Sequence, residues 1–123
     1  NMGRVLLLED NPELLDVLRE VVMIAGHDVR TATNGREGLE ILLDLSRAPE
    51  IIICDLVMPE MDGITFVRQL RANPQWNNIF CIAMSGAKHE AKLALEAGAD
   101  HYLVKPFSIH ELNDILEARY STK

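Results

Sequence analysis

The sequence predicts an α/β fold in which a doubly wound sheet of five parallel strands, in the order 2-1-3-4-5, is surrounded by five helices. Two observations support this prediction. Short apolar runs alternate five times with amphipathic helical stretches, which is typical of a parallel sheet with right-handed crossovers. The second run is more polar than the others, as expected of an edge strand, so we place it outside the first.

The first strand spans residues 5–8 and leads into the first helix. Asn11 is a typical N-cap residue and Pro12 suits the first helical position, so the helix begins here. It continues to about Ala25, and Gly26 ends it. The residues of its apolar face are Leu14, Leu15, Leu18, Val21 and Val22.

The second strand, residues 28–32, alternates loosely between apolar and polar residues. Asn34 and Gly35 then turn the chain into a second helix, which stops before Pro49. The residues expected to face inward from this helix are Leu39, Leu42 and Leu43.

The third strand begins with residues 51–54, an uninterrupted apolar run that predicts a strand buried on both faces. Asp62 and Gly63 open the third helix, which is broken near Asn73 and Pro74. The inward residues of this helix are Phe66, Val67 and Leu70.

The last two strands are residues 79–84 and 102–104, with a helix over residues 87–97 between them. The apolar side of that helix is mostly alanine, which predicts light packing and low local stability. The final helix presents one apolar face, formed by Ile109, Leu112, Ile115 and Leu116. The complete arrangement is that of a flavodoxin-like fold.

Length and composition fit one folded domain, since the chain has 123 residues of which 48% are hydrophobic and 25% charged. We assign residues 2–123 to it and interpret Asn1 as a residue left over from recombinant expression. Cys54 and Cys81 lie in apolar strand runs without metal-ligand spacing, so we expect both to be buried and reduced.

The formal net charge of −7 argues against direct binding of nucleic acid or of an anionic membrane surface. It favours cations or cationic partners. The sequence contains no apolar run long enough to span a membrane and no signal-peptide pattern, so we expect a cytoplasmic location.

Four of the five strands end in reactive polar groups: Glu9 and Asp10, then Asp55, Ser85 and Lys105. The carboxyl ends of parallel strands lie along one edge of a sheet, where ligands bind in open α/β folds, so we expect these side chains to converge. Each also has a simpler explanation. The first two could cap the first helix, the serine could shape a turn, and the lysine could be an ordinary surface residue.

Three carboxylates in one crevice repel one another unless a cation is present. Oxygen ligands without histidine or cysteine favour a hard divalent ion, and a water-exposed cluster favours Mg²⁺, or Mn²⁺. An aspartate beside such an ion can act as a nucleophile toward phosphorus and form an acyl phosphate.

At this point the chain resembles a known family, the receiver domains of two-component response regulators, including chemotaxis regulators. The resemblance covers nearly the whole length, and four motifs carry it: V-L-L-L-E-D-N, D-L-V-M-P-E-M-D-G, M-S-G-A and G-A-D-H-Y-L-V-K-P-F. It implies that Asp55 accepts a phosphoryl group from the phosphohistidine of a sensor histidine kinase or a phosphotransfer protein. An acidic pair that reads Glu9-Asp10 departs from the Asp-Asp that is common in the family, but it leaves the charge unchanged.

The resemblance also implies roles for the remaining site residues. Asp10, Asp55 and the backbone carbonyl of Val57 would bind Mg²⁺, and Glu9 would act through a metal-bound water. Lys105 would contact the phosphoryl oxygens.

Three further residues would complete the switch. Ser85 would close onto the phosphoryl group, Tyr102 would rotate inward, and a cis peptide bond between Lys105 and Pro106 would aim the lysine inward. The face formed by the fourth helix, fifth strand and fifth helix would then change for an effector, either a further domain or a separate protein. The resemblance leaves room for a phosphorylation-dependent homodimer.

The lifetime of the phosphoryl group depends on the access of water to it. The side chains two positions after Asp55 and Ser85 are Val57 and Ala87, and neither can hold a water by a hydrogen bond. We therefore expect slow self-dephosphorylation and no catalysis except on the protein itself.

Three alternatives remain open. A phosphatase or phosphotransferase with an aspartyl nucleophile typically has an acid two residues later, where this chain has Val57. A flavin-binding electron carrier would need a phosphate-binding loop after the first strand, which is not evident here. A receiver that is never phosphorylated could serve as a docking surface.

Overall fold

A parallel β-sheet lies at the centre of the protein, and the computed structural model describes residues 3–44, 46 and 48–121. In chain order the elements are β1 (Arg4–Leu8), α1 (Pro12–Ile24), β2 (Asp28–Ala32), α2 (Gly35–Asp44), β3 (Ile51–Asp55), α3 (Gly63–Ala72), β4 (Phe80–Ser85), α4 (Ala91–Ala97), β5 (His101–Val104) and α5 (Ile109–Ser121). Short 3-10 helices precede β4 and α4, at Pro74–Trp76 and Lys88–Glu90. The strand order is β2-β1-β3-β4-β5 and all pairs are parallel, so the predicted fold class is confirmed.

Alternate residues of the central strands enter two separate cores, one on each face of the sheet. On one face, Leu6, Ile52 and Cys81 pack with α2, α3 and α4. On the other face, Leu7 and Ile53 pack with α1 and α5. Both faces are covered by helices, which explains why β3 is buried along its length and apolar up to Asp55.

All but two of the predicted inward residues are buried or half-buried. Leu43 in α2 is 74% exposed, and Ile109 at the start of α5 is 51% exposed. In α2 the buried residues are Gly35, Gly38 and Leu42, so the helix contacts the sheet through a face rotated away from Leu43. Ile109 is the first residue of α5, one turn before the buried part of that helix.

The prediction of one helix over residues 87–97 was wrong at its beginning. Ala87 has an extended backbone, with φ −112° and ψ 113°, and a 3-10 turn at Lys88–Glu90 precedes the seven-residue helix α4. The alanine packing is as expected, because Ala94 is the buried residue of α4.

Arg71 of α3 ties the C-terminal end of α4 to the rest of the fold. Its guanidinium donates hydrogen bonds to the carbonyls of Gly98 (2.9 Å), Trp76 (3.1 Å) and Ile79 (2.9 Å). It also forms an ion pair with Asp100 at 2.9 Å, and that carboxylate accepts a second hydrogen bond from the β4 backbone. The Arg71 side chain therefore connects α3 to the segment before β4 and to the segment between α4 and β5.

Within the described ranges, no helix combines the length and apolar character needed to cross a membrane. Cys54 and Cys81 are both buried and free of disulfides, as predicted. The assignment of Asn1 as an expression remnant concerns a residue outside the described part of the chain.

Candidate functional site

Three carboxylates converge at the carboxyl edge of the sheet. Glu9 follows β1, Asp55 ends β3, and one oxygen from each of Glu9, Asp10 and Asp55 lies within 4.8 Å of the others. The parallel register aligns the ends of β1 and β3, which are neighbours in the sheet. Glu9 and Asp55 are only 1% and 3% exposed, whereas Asp10 faces solvent.

Both oxygens of Asp55 are held in place. The backbone N–H of Val57 donates to Oδ1 at 3.1 Å, and Nζ of Lys105 donates to Oδ2 at 3.1 Å. Gly63, at the start of α3, packs directly against the backbone of Asp55, since a Cβ at Gly63 would lie 2.5 Å from the carbonyl oxygen of Asp55. The carboxylate therefore has a fixed orientation at the end of its strand.

Lys105 reaches the cluster from the end of β5. The peptide bond between Lys105 and Pro106 is cis, and the backbone N–H of Lys105 donates to the carbonyl of Ser85 at 2.8 Å. Its Nζ donates to Glu9 at 3.0 Å as well as to Asp55. Burial alone would lower the pKa of Lys105, but the hydrogen bonds and negative charges of the two carboxylates outweigh it and raise that pKa.

Glu9 is bound on both sides. Its Oε2 accepts from the backbone N–H of Asn11 at 3.0 Å, and its Oε1 accepts from Lys105. Burial raises the pKa of Glu9, partly offset by these hydrogen bonds. The N-cap of α1 is Asn11, whose side chain accepts from the N–H groups of Glu13 and Leu14, so the two acids before it do not serve as that cap.

Ser85 is the last residue of β4, and Tyr102 lies within β5. The Ser85 hydroxyl donates to the carboxylate of Glu90, and the Tyr102 hydroxyl donates to the carbonyl of Ala87. Sequence reasoning missed Glu90. A carboxylate five residues after Ser85 was the available signal, but it has meaning only once the turn at Lys88–Glu90 is known.

The charge balance of the site favours a divalent cation. Among the described residues, three carboxylates of the cluster face the single ammonium of Lys105, which leaves two negative charges uncompensated. The donors are all oxygen atoms, the ligands that Mg²⁺ or Mn²⁺ prefers. The residues present therefore fit such an ion.

A family model for the response regulator receiver domain matches residues 5–117. Among curated proteins, the response regulator MprA of Mycolicibacterium vanbaalenii is 34% identical over 109 residues, which is 89% of this chain and 46% of that protein. The chain thus spans less than half the length of this relative.

Solved structures show the same fold. The chemotaxis response regulator CheY4 of Vibrio cholerae superposes with a TM-score of 0.88 at 28% identity, covering 96% of this chain and 98% of that one. The receiver domain of sensor histidine kinase PA1611 from Pseudomonas aeruginosa, with a magnesium ion coordinated in its active site cleft, gives a TM-score of 0.85 at 27% identity over 96% and 97% of the two chains. With the acidic cluster and lysine at the carboxyl edge of a 2-1-3-4-5 sheet, these likenesses show that the chain belongs to the response regulator receiver domain family.

Proposed function

We propose that Asp55 accepts a phosphoryl group and that phosphorylation switches the protein between two signalling states. One observation carries the proposal: a buried aspartate lies at a strand end within hydrogen-bonding distance of a lysine and next to two further carboxylates. The donor is the phosphohistidine of a sensor histidine kinase or of a phosphotransfer protein.

The transfer requires one bond to form and one to break. An oxygen of the Asp55 carboxylate attacks phosphorus, so an O–P bond forms while the P–N bond to the donor imidazole breaks and its electron pair remains on that nitrogen. The carboxylate needs no base, because it attacks in its ionised form. Its hydrogen bonds to Val57 and Lys105 hold it in one orientation for an in-line approach.

Glu9, Asp10 and Asp55 would hold Mg²⁺ or Mn²⁺, with the backbone carbonyl of Val57 as a further ligand and Glu9 acting through a bound water. The two uncompensated negative charges of the cluster support this assignment. When bound, the ion supplies positive charge that offsets the negative charge of the phosphoryl oxygens.

Lys105 and Ser85 would contact the phosphoryl group after transfer. Lys105 already donates to Oδ2 of Asp55, so a phosphoryl group on this carboxylate would lie within reach of its ammonium. The Ser85 hydroxyl would move from its present partner to a phosphoryl oxygen, and Tyr102 would rotate inward. These movements couple Asp55 to the surface formed by α4, β5 and α5, which would bind an effector domain, a separate protein or a second copy of the chain.

The first prediction tests the phosphoacceptor directly. Wild-type protein incubated with acetyl phosphate and Mg²⁺ should gain the mass of one phosphoryl group, and Asp55→Asn should gain none. The measurement is intact mass spectrometry at several incubation times.

Asp114→Asn is the matched control for this experiment, because Asp114 is an exposed carboxylate on α5, and it should be phosphorylated like wild type. Equal phosphorylation of Asp55→Asn and wild type would contradict the proposal. Unmodified wild-type protein would favour the alternative of a docking domain that is never phosphorylated.

The enzyme alternative has less support. A phosphatase or phosphotransferase of this kind typically has an acid two residues after its nucleophile, and here that residue is Val57, which is 65% exposed and cannot transfer a proton. We propose that the chemistry is confined to phosphorylation and slow dephosphorylation of the protein itself. Turnover of a phosphate ester with Mg²⁺ would contradict this.

A further inference from the structure

The Ser85 hydroxyl already donates its hydrogen bond to another side chain in the unphosphorylated protein. Ser85 is 2% exposed, and its Oγ donates to Oε1 of Glu90. A serine hydroxyl has one hydrogen to donate. While Glu90 accepts it, the same hydroxyl cannot donate to a phosphoryl oxygen on Asp55.

The carboxylate of Glu90 is used for this contact and not for the helix that follows it. Glu90 lies at the N-terminal boundary of α4 but makes no side-chain capping hydrogen bond there. Its backbone N–H donates to the carbonyl of Ala87 at 3.2 Å, and the N–H of Ala87 donates to Oγ of Ser85 at 3.3 Å. Backbone and side chain of Glu90 thus both fasten the turn at Lys88–Glu90 to the end of β4.

Tyr102 joins the same group of contacts. Its hydroxyl donates to the carbonyl of Ala87, which also accepts from Glu90. The residues expected to move on phosphorylation, Ser85 and Tyr102, are therefore connected through the segment that Glu90 holds.

We infer that Glu90 is a positioning residue for the phosphoryl switch, and that it competes with the phosphoryl group for the Ser85 hydroxyl. The inference rests on the proposed function of Asp55. In the unphosphorylated protein, Glu90 keeps the hydroxyl on the α4 side. When the phosphoryl group takes that hydroxyl, the carboxylate is released and the turn that leads into α4 loses one of its attachments.

Removal of this competitor should favour the phosphorylated arrangement. Without Glu90, the buried Ser85 hydroxyl lacks its acceptor in the unphosphorylated protein, and an unpaired buried hydroxyl is unfavourable. In the phosphorylated protein the hydroxyl has a phosphoryl oxygen as its acceptor, so this state is not penalised. The difference appears as tighter binding of a phosphoryl mimic.

The test measures the affinity for beryllium fluoride in the presence of Mg²⁺ by calorimetric titration. Glu90→Ala should bind the mimic roughly five- to tenfold more tightly than wild type. Glu90→Gln retains a neutral acceptor oxygen and should lie between them. Glu96→Ala removes an exposed carboxylate of α4 and should bind like wild type.

A double-mutant comparison separates positioning from a merely structural effect. In a Ser85→Ala background, Glu90→Ala should bring no further gain in affinity, because the contested hydroxyl is gone. If Glu90 only stabilised the turn, its removal would lower the melting temperature. It would also change the affinity for beryllium fluoride by the same factor with Ser85 present and with Ser85→Ala.

Two results would overturn the inference alone. The first is that wild type, Glu90→Gln and Glu90→Ala bind the mimic with equal affinity. The second is that Glu90→Ala raises the affinity by the same factor in the presence and in the absence of Ser85. The acetyl phosphate experiment distinguishes these from a failure of the proposed function. If wild type is not phosphorylated there, the switch itself is absent and the inference fails with it.

Discussion

Burial is the main influence on the chemistry of the two cysteine thiols. Cys54 and Cys81 are fully enclosed in the sheet, and burial raises the pKa of Cys81 to about 12 and raises that of Cys54 well above its ordinary value. The reactive thiolate is therefore suppressed. We expect neither thiol to react with Ellman's reagent in the native protein and both to react in urea. Rapid labelling of the native protein would contradict the buried, reduced assignment.

His27 should make stability depend on pH. Its side chain is buried, and its Nδ1 accepts a hydrogen bond from the backbone N–H of Gly3 at 3.3 Å. Burial lowers the pKa of His27 from its ordinary value of 6.5, although the backbone of Gly3 and the charge of Glu50 act in the opposite direction. The unfolded protein therefore binds a proton at His27 more readily than the folded protein does. The contribution of His27 to stability is fully present above pH 6.5 and is lost as the pH falls through the lower pKa of the folded state.

The measurement is the free energy of unfolding in urea between about pH 7.5 and about pH 5.5. His27→Asn keeps an acceptor atom in a similar position but does not titrate. We expect wild type to lose stability relative to this variant as the pH is lowered. If the difference between the two proteins were the same at every pH, His27 would not be the responsible group.

Two apolar side chains, those of Val57 and Ala87, should determine how long the phosphoryl group persists. Val57 is largely exposed and Ala87 half-buried, and neither can orient a water for attack on phosphorus. We expect Val57→Asn or Ala87→Glu to hasten the loss of the phosphoryl group, measured by intact mass after removal of acetyl phosphate. An unchanged decay rate in both variants would contradict this explanation of a long lifetime.

Among the elements, α3 and α4 depend on each other through Arg71. Arg71→Lys retains the charge but cannot reproduce a planar group that serves Gly98, Trp76, Ile79 and Asp100 together. We expect it to lower the free energy of unfolding by about 2 to 3 kcal/mol, the loss of one or two hydrogen bonds to a charged group.

The matched control for that prediction is Arg68→Lys, an exposed position on the same helix, which should be nearly neutral. Urea titration of both variants gives the comparison. Equal stability of the two variants would mean that the hydrogen bonds of Arg71 are replaced by water at no cost.

The face of α2 shows where sequence periodicity fails. A Cβ on Gly38 would lie 2.7 Å from Cδ2 of Leu8, so the helix approaches the sheet at a residue that has no hydrophobic signal. The spacing of the leucines alone therefore predicts Leu43 on the inward face, whereas the residue is exposed. The faces of α1 and α3, which carry large apolar residues at the contact, were predicted correctly.

The start of α4 could not be predicted for a different reason. Its conformation depends on contacts of Ser85 with Glu90 and of Tyr102 with Ala87, residues whose spacing matches no helical pattern. Local propensity favours continuation of the alanine-rich helix, and tertiary hydrogen bonds override it.

For the whole molecule, the main consequence of the acidic cluster is that a divalent ion should stabilise the fold. A ligand present at 100 times its dissociation constant adds about 2.7 kcal/mol to the free energy of unfolding. We expect Mg²⁺ to raise the melting temperature of wild type, and Asp10→Asn to lose most of that rise. Asp114→Asn should respond like wild type, and an undiminished response of Asp10→Asn would exclude Asp10 as a ligand.

The convergence of the polar strand ends was predictable because the alternation of elements implies parallel strands, and the sheet order was predictable because the polar second strand indicates an edge. Once strands are parallel, residues as distant in sequence as Glu9 and Lys105 must reach the same edge. The hydrogen-bond partners within that edge were not predictable. They depend on backbone conformations, such as the extended Ala87, that periodicity does not encode.

The unequal attachment of α4 has a mechanical consequence. Arg71 clamps the segment just after its C-terminal end, while its other end is fastened through Glu90 and Ala87. A helix of seven residues is about 10 Å long. If the contact of Glu90 with Ser85 is lost, α4 can pivot about the end that Arg71 holds. Amide hydrogen exchange in this segment should then be fastest near Lys88 and slowest near Ala97. Binding of beryllium fluoride should increase the difference in exchange rate between the two ends.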